Sequence, residues 1–201
     1  MYFYTYMLDE RFEIISLASA IATVSVIPSV LVSGWLVQKL GKKRLMLCVM
    51  ASYILCFAVR LFNVTSIPLI CVSALINGFP QGIFNVMMPT IQADNIDYVE
   101  FKTNWRAEGG ISSLDSFVAK ASQGIGGAIG GYVLAATGYV ANQPQTDLAK
   151  FGIAFNTLLM PIIMLSIGLF VFGFGYNLSP EKLAEVNETL HQRREAKNST
   201  P

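Results

Sequence analysis

Charge is scarce in this chain. Asp, Glu, Lys and Arg together make up only 13% of the 201 residues, about half the share found in soluble domains. Neither sign dominates, with 14 Lys and Arg against 13 Asp and Glu, so no broad basic face for nucleic acid can be built. Histidine occurs once, at His191 in a polar tail, and the three cysteines Cys48, Cys56 and Cys71 all sit inside apolar runs. That usage excludes a disulfide framework and any cysteine or histidine metal cluster. No nucleophile, base and orienting group can be assembled either, so an enzyme is not expected and no cofactor is implied. No cleavable leader is expected at the start of this sequence either, because no basic region precedes the aromatic stretch Met1 to Met7 and the acids Asp9 and Glu10 follow it at once.

What the chain has in plenty is apolar length. Hydrophobic residues reach 53% and mean hydropathy is positive. Five runs are long enough to cross a hydrocarbon layer of about 30 Å as helices: Ile14 to Val37, Leu45 to Phe62, Ile67 to Ile91, Ile111 to Ala136 and Phe151 to Tyr176. Short polar connections with turn and breaker residues separate them. Tyr2 to Leu8 reads as the end of an earlier span. The expected fold class is an all-α polytopic membrane protein, with a transmembrane region over residues 1–178 and a polar helix and tail over 179–201. Ser179 and Pro180 mark the start of that last helix.

Basic residues in the short loops set the expected orientation. Lys39, Lys42, Lys43, Arg44, Lys102, Arg106, Lys182, Arg193, Arg194 and Lys197 fall on one side, against Arg11, Arg60 and Lys150 on the other. The positive-inside rule places the first group, and the C-terminus, in the cytoplasm of a multi-pass protein of the cell membrane.

Polar residues within the spans are the candidates for function. Asn77, Gln81, Asn85, Met88 and Gln92 recur at intervals of three and four and occupy an arc of about 80° on one helix. Amides on such a stripe can exchange hydrogen bonds with sugar hydroxyls in a water-filled path, or they can bond neighbouring helices together. Pro80, Pro89, Gly78 and Gly82 are expected to interrupt the same helix and free backbone groups there. The next span carries Ser112, Ser116, Lys120 and Gln123 on one face. A lysine at this depth is costly and needs a cavity or an anion. Asp115 lies about 140° away around the helix, so a direct pair with Lys120 has poor geometry, and the two charges could instead fix helix packing. Gly126 with Gly130 and Gly127 with Gly131 permit close approach of another helix. Between these two spans, Asp94, Asp97, Glu100, Lys102, Arg106 and Glu108 form a charge knot. It is either a solvated face or, with the GKKR loop, an ionic gate that closes one side of an alternating-access protein.

The stretch QADNIDYVEFKTNWRAEGG, with S-F-x-x-K, the G-G-A-x-x-G run, G-Y-V-A-N and the S-P-E-K-L tail, resembles the C-terminal portion of the glycoside-pentoside-hexuronide (sugar:cation) symporters of the major facilitator superfamily, which are melibiose permease-like. The resemblance implies a sugar or glycoside as substrate, symport with sodium or a proton, and twelve spans, of which the end of helix VII through helix XII would be present here. It makes Lys120 the helix XI lysine of the substrate and cation pathway, with Ser116 one turn before it. It also places the coupling-ion carboxylates mainly in an N-terminal half outside this chain, so that half becomes an expected partner beside the lipid bilayer. Asp115 stands where the family pattern implies an amide. The rival reading is a small helical membrane scaffold that transports nothing.

Overall fold

The computed structural model describes Tyr6, residues 12–63 and residues 66–198. Asp9, Glu10, Arg11 and, apart from Tyr6, the expected helix end Tyr2 to Leu8 lie outside the described residues.

All the regular structure described is helical. The elements are α1 (Phe12–Leu40), α2 (Lys42–Phe62), α3 (Ile67–Thr103), α4 (Glu108–Ala136), α5 (Asp147–Gly175) and α6 (Pro180–Asn198). Four of the five expected spans lie wholly within the first four helices, and the fifth, Phe151 to Tyr176, falls in α5 except for Tyr176, the residue that caps its C-terminus. Four of them, α1, α2, α3 and α5, are long and apolar enough by composition to cross a membrane. At 29 residues α4 is as long as α1, but its serines, glycines, Asp115 and Lys120 dilute its apolar character.

Short connections join several of the helices. Between α1 and α2 stands one non-helical residue, Gly41, with φ 76, a left-handed conformation that costs glycine little. Asn104, at φ 57, ends α3 by donating its N–H to the Glu100 carbonyl, an αL cap. Ser179 caps α6 by accepting from the Lys182 N–H at 3.2 Å, and the helix begins at Pro180 as the sequence implies.

Packing is most extensive between α1 and α3. Ser25, Ser29 and Ser33 of α1 are buried, and each satisfies its hydroxyl on a carbonyl of its own helix three or four residues back. Facing them, Gly78 and Gly82 of α3 let the two backbones nearly touch. A Cβ on Gly82 would collide with Ser29 and lie 2.8 Å from the Val26 carbonyl, and one on Gly78 would lie 2.6 Å from Ser25 Cβ. This corrects two expectations. Gly78 and Gly82, with Pro80 and Pro89, do not break the helix, since α3 runs unbroken from Ile67 to Thr103. The close approach also falls here and not on α4, where, among the described residues, a Cβ on Gly126, Gly127 or Gly131 would have no neighbour within 4 Å and one on Gly130 would meet only the Asn156 amide.

Two apolar clusters knit the remainder. One joins Leu45, Met46 and Val49 of α2 to Ile83, Met87 and Ile91 of α3 and to Tyr176 after α5. The other, at the opposite end, joins Ile14 and Ala18 of α1 to Ile70 of α3 and Ile153 of α5. Helix α4 buries no residue and packs mainly on the start of α5. There Asn156 donates from Nδ2 to the Gly130 carbonyl at 2.9 Å, from within a π-helical turn, Phe155–Leu159.

Candidate functional site

The polar faces expected on α3 and α4 both exist, and they differ in setting. On α4, Ser112, Ser116 and Lys120 line one open hollow of about 480 Å³ with Ser113 and Phe117. Gln123 is exposed one turn further on, outside that hollow, and Asp115 is exposed away from it. Among the described residues neither Lys120 nor Asp115 makes an ion pair, so the packing-pair reading has no support in this arrangement. On α3, Asn85 and Gln81 are exposed. Gln81 also borders a cavity of about 180 Å³ between α1, α2 and α3, with Asn77, Ser73, Cys56 and Arg60. The Asn77 Oδ1 atom is buried there with no hydrogen-bond partner among the described residues. The helices α3 and α4 are linked through residues 104–107 rather than packed side by side, so the two polar faces are not joined in this structure.

The charge knot is brought together more tightly. It was expected in a loop, but Asp94, Asp97, Glu100 and Lys102 stand on the last turns of α3, which extends twelve residues past the apolar run that ends at Ile91. The reason is that the run marks where hydrocarbon ends, while the helical hydrogen-bond ladder continues into water. Asp94 accepts from Lys42 Nζ, at the start of α2, at 2.5 Å. Arg106 meets Glu108 at 2.9 Å, Glu100 at 3.1 Å and Asp97 at 3.7 Å. The Glu108 hydrogen bond is the chief reason its guanidinium is held even more firmly protonated than usual, with Glu100 adding to it. Lys102 joins differently, over the Tyr98 ring at 5.8 Å, with Lys182 of α6 at 6.0 Å from the same ring.

One contributor escaped the sequence reading as a partner in this cluster. Arg194 of α6 reaches Glu100 at 3.0 Å and Asp97 at 3.6 Å, so α6 and the α3–α4 connection share the same two carboxylates. Arg193 beside it donates to the Phe101 carbonyl at 3.3 Å and lies over the Phe101 ring. Val186 and Leu190 are buried, which anchors α6 along the end of α3. Their four-residue spacing on an otherwise polar helix was the available signal. The geometry also gathers the GKKR turn, the α3–α4 connection and α6 at one end of the bundle, as the loop charges required.

The chain matches the family model described as MFS/sugar transport protein over residues 1–180. It is 32% identical over 198 residues to the isoprimeverose transporter of Lactiplantibacillus pentosus, covering 94% of this chain and 40% of that one. It is 31% identical over 201 residues to the glucuronide carrier protein homolog of Escherichia coli (strain K12), covering 96% and 42%. A putative sulfoquinovose importer of the same organism is 26% identical over 204 residues, covering 100% and 43%. The chain thus spans about two-fifths of the length of these relatives.

Proposed function

Because the chain belongs to the MFS/sugar transport protein family, we propose that it serves the secondary active transport of a sugar or glycoside with sodium or a proton, and that the faces of α3 and α4 form one wall of the pathway. Lys120 carries this reading: an ammonium aligned with Ser112 and Ser116 on the most open helix of the fold has a place for an oxygen-rich ligand or an anion and no carboxylate among the described residues to neutralise it. The opposite wall, and most of the coupling-ion site, belongs to further helices of a carrier of this kind, since substrate sites in such proteins lie at the interface between repeats. The cluster of Asp94, Asp97, Lys102, Arg106 and Glu108, with Lys42, Glu100 and Arg194, acts as the cytoplasmic gate.

The test is uptake in a carrier completed with those helices, using isoprimeverose, a glucuronide and sulfoquinovose as candidates drawn from the relatives' names. Cation-driven accumulation of one of them is expected. In that background Asn85→Leu weakens sugar binding about tenfold, the worth of one or two hydrogen bonds, while membrane insertion is unchanged. Unaltered equilibrium binding would reduce the amide stripe to packing. An absence of any uptake would favour the scaffold.

Orientation has its own test. A cysteine at Thr103 is expected to react with an impermeant thiol reagent only from the cytoplasmic side, and one at Gln143 only from outside. Reaction of both from one side would contradict the helix order.

A further inference from the structure

Beside the ionic cluster, at the same end of the bundle, lies a cavity of about 780 Å³ between the α1–α2 turn and the start of α6. Lys39, Lys42, Lys43 and Arg44 line it, with Tyr176 at its edge and Glu181 as the one acidic group among the described residues. Lys42 is already committed to Asp94, and Glu181 is kept ionised chiefly by a hydrogen bond from Ser179. Lys39, Lys43 and Arg44 then leave a net charge of +2 over Glu181. The first turn of α6 adds little, because Ser179 already accepts from the Lys182 amide there. One and two turns deeper along α1 from Lys39, Trp35 and Leu31 are exposed at 58% and 79%. Trp35 carries Lys39 over its ring at 4.9 Å, the amphipathic pairing found where headgroups meet acyl chains.

We propose that this cavity binds the phosphodiester headgroup of an anionic phospholipid, with Lys43 and Arg44 on the phosphate and the acyl chains along the exposed face of α1 at Trp35 and Leu31. A basic pocket at the end of membrane helices recognises an anionic headgroup by charge and depth together. A neutral carbohydrate does not need the net positive charge, and a soluble anion, an acidic sugar included, does not need the apolar wall. The site stands on this geometry and is independent of whether the protein carries a sugar.

The chain has two tryptophans, so Trp105→Phe leaves Trp35 as the sole reporter. The full chain in phosphatidylcholine vesicles is titrated with brominated phosphatidylglycerol, and in a parallel series with brominated phosphatidylcholine. Trp35 is expected to be quenched at about 25-fold lower mole fraction by the anionic lipid, at about fivefold per net cation. Lys43→Gln with Arg44→Gln abolishes most of that preference, and Arg44→Gln alone, on an exposed side chain, lowers it about fivefold. Lys182→Gln, outside the cavity, changes it less than twofold. Far-UV circular dichroism verifies that each variant is folded. Equal quenching by the two lipids, or an equal loss in Lys182→Gln, would overturn the site. Relief of quenching by millimolar inorganic phosphate would assign the cavity to free phosphate in place of lipid.

Discussion

Lys120→Leu is expected to enter the membrane at least as well as the native chain and to lose coupled sugar uptake. A lysine at the centre of a membrane helix costs about 2.5 to 3.5 kcal/mol to insert, so leucine removes a penalty and cannot fail for lack of insertion. What it takes away is the charged donor in the hollow shared with Ser112 and Ser116. Hydrogen bonds to charged groups contribute about 1.5 to 3 kcal/mol, which corresponds to a loss of roughly 10- to 150-fold in binding before any effect on coupling. Lys120→Arg keeps the charge but spreads it over a planar fork, so it restores transport only weakly. The measurement is initial uptake rate and equilibrium sugar binding in a completed carrier, normalised to the amount of protein in the membrane. Native uptake by the leucine variant would make Lys120 a charge with no part in the pathway.

The second large effect concerns the fold. Gly82→Leu is expected to prevent α1 and α3 from docking, because its side chain would have to occupy space already filled by Ser29 and the Val26 carbonyl. A flexible neighbour could swing aside, but a helix backbone cannot. Overpacking in a close-packed interior costs about 1 to 3 kcal/mol, occasionally more, and Gly82→Ala is placed near that range. For leucine the two helices must separate, which also exposes Ser25, Ser29 and Ser33. Gly126→Leu is the control, since none of the described residues would come within 4 Å of a Cβ at that position. Thermal aggregation in detergent is expected to drop by many degrees for Gly82→Leu and to stay within a degree or two of native for Gly126→Leu. The reverse order would relocate the tight helix contact to α4.

The span positions, the start of α6 at Pro180 and the gathering of basic residues at one end were all legible in the sequence, because each depends on local pattern: apolar length, a capping serine with proline, charge in short loops. The interface of α1 with α3 was not. Ser25, Ser29 and Ser33 carry the same four-residue spacing as the α4 glycines, and spacing alone does not say which small-residue face meets a partner and which stays open. Gly78 and Gly82 were read with Pro80 and Pro89 as breakers. In the structure the glycines answer to a neighbouring backbone, and the helix absorbs both prolines. Of the candidate site, the alignment of Ser116 with Lys120 and the ionic cluster around Arg106 were visible from periodicity and charge. The reach of Arg194 across 94 residues to Glu100 was not, because no local rule links a tail helix to the end of a distant span.

The one-residue link at Gly41 has a mechanical consequence. With helix on both sides of it, and with the Gly41 N–H bonded back to Val37 and its carbonyl accepting from Leu45, the hairpin of α1 and α2 has no slack. A tilt of α1 cannot be taken up by a pliant loop, so it must pass within a single peptide unit to Lys42, and through Lys42 to Asp94. Together α1 and its turn form a lever whose short arm ends on the ionic cluster, and a single inserted residue at Gly41 would uncouple the two while leaving the contacts among α3, Arg106 and α6 intact.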